Sequence, residues 1–173
     1  MLQEGATIID IGGMSSRPGA KILTPDDELQ RVTPIIQALS KEFPEANFSI
    51  DTVHGQVAEA AVEAGAHIIN DISAGRLDPE MYPVVSRLNV PYILMHMQGT
   101  PGTMQQEPNY VDVVEEVMDF FTDHIERLRT LGVKDLILDV GFGFGKTVSH
   151  NYQLLKKMNQ FSIFGLPLLA GLS

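Results

Sequence analysis

Along the chain, short runs of consecutive apolar residues alternate with longer stretches in which apolar residues return every three or four positions. The short runs are ATIIDIGG (6–13), NFSIDT (47–52), AHIINDIS (66–73), VPYILMHM (90–97), DLILDVG (135–141) and LPLLAG (166–171). They predict strands. Between them lie helices. TPDDELQRVTPIIQALSKEF opens on Thr24 as N-cap, with Pro25 in the first helical position and Asp27 three residues past the cap. Asp26 and Glu28 add negative charge where the helix dipole favours it. HGQVAEAAVEAG closes on Gly65, and DPEMYPVVSRLN is expected to start on an Asp78 cap and to be shortened or bent by Pro83. YVDVVEEVMDFFTDHIERLRTLG spaces Val113, Val117, Phe120, Phe121, Ile125 and Leu128 at helical intervals and ends at Gly132; SHNYQLLKKMNQF is the last.

Continuous apolar strands joined by helices indicate an α/β fold of parallel strands buried on both faces. Either an open doubly wound sheet or a (β/α)8 barrel satisfies that. The strand ends decide for the barrel. Asp10, Asp51, Asn70 with Asp71, His96 and Asp139 each close a run, and parallel strands bring such groups to one rim, where barrel sites sit. Six strands do not complete a barrel of eight, which takes about 250 residues. The expectation is one barrel domain over residues 1–173 that is truncated at both ends. It would lack a βα unit in front and a helix, strand and helix behind.

Composition narrows the chemistry. The 173 residues include no Cys, so there is neither a disulfide nor a thiolate nucleophile, and 44% are hydrophobic, enough for a sizeable core. A formal charge of −10 argues against nucleic acid as partner, because phosphate backbones are held by clustered Lys and Arg. No apolar run approaches the roughly 20 residues of a membrane span, and the start lacks a basic region ahead of an apolar one. A cytoplasmic location is the expectation. The stretch LILDVGFGFGKTVSHN (136–151) invites comparison with phosphate loops. A Walker loop needs Gly where Val140 stands, and a dinucleotide loop needs Gly where Lys146 stands. Neither motif fits.

The segments DIGGMSSRPGA, SIDT, GAHIINDIS, LMHMQGTP and LDVGFGFGK occur in this order at strand ends. Together they closely resemble the dihydropteroate synthase family of pterin-binding barrels, over essentially the whole chain. The resemblance implies a (β/α)8 barrel, a homodimer and a sulfonamide target. Its reaction joins 6-hydroxymethyl-7,8-dihydropterin pyrophosphate to p-aminobenzoate and releases pyrophosphate with Mg2+. The family's metal-binding Asn falls outside this sequence, as do a Lys, an Arg and a His that help hold the substrates. Two rival readings share the pterin-facing residues: a pterin-binding methyltransferase domain and a non-catalytic truncated paralogue.

Residue by residue, the resemblance implies the following site. Asp139 accepts the paired N–H donors of a pterin's 2-amino-4-oxo edge in bidentate fashion, and Asn70 bonds another edge of the ring. Asp51 sets a negative charge near the reacting methylene and stabilises the cation that forms there, so Asp51 and Asp139 are the catalytic expectations. Ile72 and Met95 sandwich the ring or serve the core. Arg17 binds pyrophosphate, Ser16 keeps a hydroxyl where the family has Thr, and Pro18 stiffens the p-aminobenzoate pocket. Phe144 offers a ring to the aromatic substrate, whereas Phe142 is expected in the core. Gly171 permits close approach at the last strand. Met14 stands where the family has Glu, and Val140 where it has Pro. His96 is expected to be structural, Lys146 resembles a fixed family lysine with no catalytic assignment, and His54 and His124 are expected at the surface.

Overall fold

The computed structural model describes residues 1–15, 22–104 and 108–171. Among these residues, a short 3-10 turn at Leu2–Glu4 precedes the first strand, a second 3-10 segment, Met158–Phe164, follows the last helix, and six strands alternate with five α-helices. These are β1 (Ile8–Gly12), α1 (Pro25–Glu42), β2 (Asn47–Asp51), α2 (Gly55–Glu63), β3 (Ile68–Asp71), α3 (Met81–Leu88), β4 (Tyr92–Met95), α4 (Val113–Thr130), β5 (Leu136–Asp139), α5 (Val148–Lys156) and β6 (Leu168–Leu169). The strands form one sheet in the order β1 to β6, and each pairs in parallel with the next. All six predicted strands are present, each trimmed to its hydrogen-bonded middle.

The two faces of the sheet differ. Ile50, Ile69, Tyr92, Leu94, Leu136 and Leu138 sit at alternate strand positions and join helix residues such as Val32, Ile36, Val57, Val117, Phe121 and Leu128 in one buried core. The intervening positions, Asp10, Asp51, Asn70, Met95 and Asp139 among them, must point to the opposite face, because strand side chains alternate. Helices on one face and sequential parallel strands give the curled wall of a barrel, here six strands of it.

Local chemistry explains the helix ends. Thr24 caps α1 as expected, its hydroxyl accepting from the Asp27 amide at 3.2 Å. Asp112 caps α4 through the amides of Val114 and Glu115. Thr147 and His150 form a reciprocal capping box on α5. Asp78 departs from expectation. The helix after it begins only at Met81 with no side-chain cap; Asp78 Oδ1 accepts from the Glu80 amide at 3.0 Å in the turn before it, while Oδ2 accepts from the Gly55 amide, at the start of α2, at 2.7 Å. Pro83 then falls in the first turn of α3, where its missing N–H leaves no gap in the ladder.

Candidate active site at the strand ends

Register fixes the rim. Asp51 lies opposite Asn70 across the β2–β3 pair, and Met95 opposite Asp139 across β4–β5. Four of the expected ligand-facing side chains thus share one face and one end of the sheet, on strands spaced about 5 Å apart. Asp10 of β1 joins them. It accepts from the Ser49 hydroxyl through one oxygen and from the Asn70 amide at 3.1 Å through the other.

Beside these polar groups lies an apolar patch. Val53, Ile72, Met95, Met97 and Met104 are buried together, with Met14, Leu77 and Phe144 packed against them. Ile72, Met95 and Phe144, expected around a ring-shaped ligand, therefore do meet. Met14 also has a place: it packs on this patch, and its sulfur accepts from the Leu23 amide at 3.4 Å. Phe142 packs on the main core, as expected. Gly171 lines a cavity of about 460 Å³ with Phe142, Gly143, Val148, Asn151, Tyr152 and Leu155, apart from the carboxylate rim. Ser16, Arg17 and Pro18 lie outside the described residues.

The rim is strongly acidic. Burial pushes the Asp51 carboxyl up to about 7, and the charges of Asp10, Glu28 and Asp71 push the same way. Asp139 is likewise raised by burial, an effect opposed by the Gly141 amide it accepts from at 2.8 Å and by the charge of Lys146. Asp71, completely buried on the helix side, serves structure: it gathers donors from Ser73, Gly75 and the Tyr92 hydroxyl. Glu28 was legible only as a charge near the helix dipole. It is fully buried, accepts from Thr52 at 3.1 Å, and leaves its Oε1 without a partner among the described residues. Its position in α1, four and eight residues before the core residues Val32 and Ile36, carried the signal.

The glycine turn after β5 is no phosphate cradle. Gly141 has φ +68°, and a Cβ there would lie 2.0 Å from the carbonyl oxygen of His96; at Gly145, φ +65°, it would lie 2.5 Å from that of Gln98. The glycines exist so that this turn can press against the segment leaving β4. Lys146 is 3% exposed and directs its ammonium at His96 Nδ1 (2.9 Å), His96 O (3.2 Å) and Phe144 O (3.0 Å). His96 is structural, as expected. Burial, with the charge of Lys146 second, drives its pKa down to about 2, so the ring is neutral and accepts.

Two histidines correct the sequence reading. His124 is 7% exposed, and its Nδ1 meets the Tyr82 hydroxyl. It lies seven residues after Val117 and four before Leu128, on the apolar stripe, so helical spacing could have found it. His54 is half-buried at the N-cap of α2, its Nε2 at 3.0 Å from the Leu23 carbonyl. Among the described residues no three His, Asp or Glu side chains converge as a metal site would need, and both Asp10 oxygens already have donors. The described residues do not fit a Mg2+ site. Among the described residues, no helix is long and apolar enough to cross a membrane.

Known proteins resemble this chain in sequence and in fold. The family described as pterin binding enzyme matches residues 1–173. The dihydropteroate synthase of Escherichia coli (strain K12) is 46% identical over 175 residues, covering 100% of this chain and 61% of the relative. The Yersinia pestis dihydropteroate synthase, solved in a sulfonamide drug complex, superposes with a TM-score of 0.96 at 44% identity, over 99% of this chain and 62% of that one. The Xanthomonas albilineans dihydropteroate synthase with 4-aminobenzoic acid gives 0.91 at 42% identity, over 99% and 61%. The chain spans about 61% of the length of the curated relatives it matches.

Proposed function

This chain belongs to the pterin-binding enzyme family, and we propose on that premise that it works as a dihydropteroate synthase. Its substrates are 6-hydroxymethyl-7,8-dihydropterin pyrophosphate and p-aminobenzoate. The C–O bond between the pterin methylene and pyrophosphate breaks, and a C–N bond to the arylamine forms. The amine loses one proton, and 7,8-dihydropteroate and pyrophosphate are released. The relatives named above are synthases, which favours this reading over a methyltransferase domain.

One observation supports the assignment most: the carboxylates of Asp51 and Asp139 and the amide of Asn70 share the rim with the Ile72–Met95–Phe144 patch. Asp139 accepts two parallel N–H donors from the pterin, while Asn70 bonds a further edge. Ile72, Met95 and Phe144 cover the ring faces by apolar and thioether contact. Asp51 faces the methylene. Held up to about 7 when the site is empty, its carboxyl gains most from ionising as positive charge develops there, so the interaction is strongest in the transition state. Ser16, Arg17 and Pro18 serve pyrophosphate and p-aminobenzoate, and Gly171 the approach to the last strand. Mg2+, if bound with pyrophosphate, would supply charge neutralisation to the leaving group. The protein works as a cytoplasmic homodimer.

The test supplies both substrates to this chain and to one extended at both ends, and follows pyrophosphate and dihydropteroate. Equal release of the two by the extended form, abolished by Asp139→Asn, supports the assignment. Failure of both forms to bind a pterin would sink it.

A further inference from the structure

Lys146 is a buried cation that the proposed chemistry leaves unused. An ammonium has three donors and no acceptor, and all three point inward, to His96 Nδ1, His96 O and Phe144 O. None remains for a phosphate, and the side chain is 3% exposed. Two of these partners belong to the end of β4 and one to the turn after β5. The same seam is closed by Gly141 and Gly145, which admit no Cβ, and by the Tyr110 hydroxyl, which donates to the Gly145 carbonyl at 2.8 Å. At the root of this turn stands Asp139, with its Oδ1 on the Gly141 amide.

We propose that Lys146 is a positioning residue for Asp139, clamping the glycine turn onto the end of β4 and setting its charge behind the ligand-facing carboxylate. This rests on Asp139 being the pterin acceptor, as argued above. The charges bear on one another in both directions: Lys146 favours the ionised form of Asp139, and Asp139 favours the charged form of Lys146. Burial pulls Lys146 down to about 7, with the Arg76 charge adding to that pull. The other titratable groups facing the seam are His96, neutral throughout, the Tyr110 hydroxyl, held up by burial, and His124, whose charge would oppose that of His96.

The experiment measures binding of 6-hydroxymethylpterin to the whole protein and its Lys146→Met variant between about pH 4 and 8, with circular dichroism to verify folding. Methionine keeps the length of the stem and removes the donors and the charge. The variant should bind about tenfold more weakly on the acid side, and the midpoint at which acid abolishes binding should rise by about one pH unit. The two proteins should converge toward high pH, where Lys146 has lost its own proton. A folded variant with the wild-type midpoint overturns the proposal, because a merely structural lysine would weaken folding without moving it.

Should Lys146→Met fail to fold, the titration of Lys146 itself is followed by NMR in wild type and Asp139→Asn. A midpoint about one unit lower in the variant supports the coupling, and an unmoved midpoint overturns it. Undiminished pterin binding by Asp139→Asn would instead strike the parent reading, a result that neither Lys146 outcome produces.

Discussion

Asn70 reaches past β2 to donate its side-chain amide to Asp10 at 3.1 Å, linking two strands that are not neighbours in the sheet. Because a carboxylate only accepts, the contact fixes which way the amide points. Its oxygen remains the acceptor end of the amide. Removing Asp10 frees the amide to rotate and leaves Ser49 without its acceptor. Asp10→Ala should weaken pterin binding by about tenfold, or roughly 1.4 kcal/mol, measured by calorimetric titration. Unchanged affinity would show that Asn70 needs no guide.

Asp51 supplies a pH signature. Its folded pKa is raised from 3.8 to about 7, so between those values the folded state binds more protons than the unfolded one. Stability therefore falls as pH rises through that window. Asp51→Asn removes the buried charge. It should be more stable than wild type at pH 8 by about 1–3 kcal/mol, with the difference fading as pH falls below about 4. Urea unfolding across pH reads this directly, and the same variant should lose turnover.

Two glycines of one turn should respond very differently to alanine. At Gly141 the new methyl meets a backbone oxygen at 2.0 Å, whereas at Gly143, φ +83°, it meets nothing within 4 Å. Gly143→Ala should cost about 1–2 kcal/mol, from the left-handed backbone alone. Gly141→Ala adds a backbone collision and should cost about 3 kcal/mol or more. Comparable midpoints in a denaturant series would refute the packing argument.

His124 should make the protein acid-sensitive. Burial lowers its pKa from 6.5 to about 4, with the Arg127 and Arg76 charges helping. As pH drops from about 6.5 toward 4 the unfolded state takes up protons that the folded state refuses, so stability declines. His124→Gln should flatten that decline in an acid titration followed by circular dichroism, at a cost of about 1–2 kcal/mol at neutral pH.

Local rules carried much of this structure. Thr24, Pro25 and Asp27 announce the start of α1 because a helix cap is built within four residues. The polar rim was readable because parallel strands expose one residue type at one end, and Asp51, Asn70 and Asp139 obey that rule. What stayed hidden depends on partners distant in sequence. Asp78 looks like the cap of its own helix alone, yet its second carboxylate oxygen holds the first amide of α2, 23 residues earlier. Lys146 shows no role in its local sequence, because its partner His96 lies 50 residues away. Glu28 of α1 likewise finds its donor, Thr52, 24 residues away, just past β2. Nothing in the local pattern specifies such pairs.

The unbroken β1-to-β6 order has a kinetic corollary. Every new strand docks on the one made just before it, so each addition closes a loop of only one helix and its connections. The entropic barrier to each such closure is modest and nearly equal from step to step. Such a wall can grow in the order in which a ribosome would deliver it, each finished pair templating its successor.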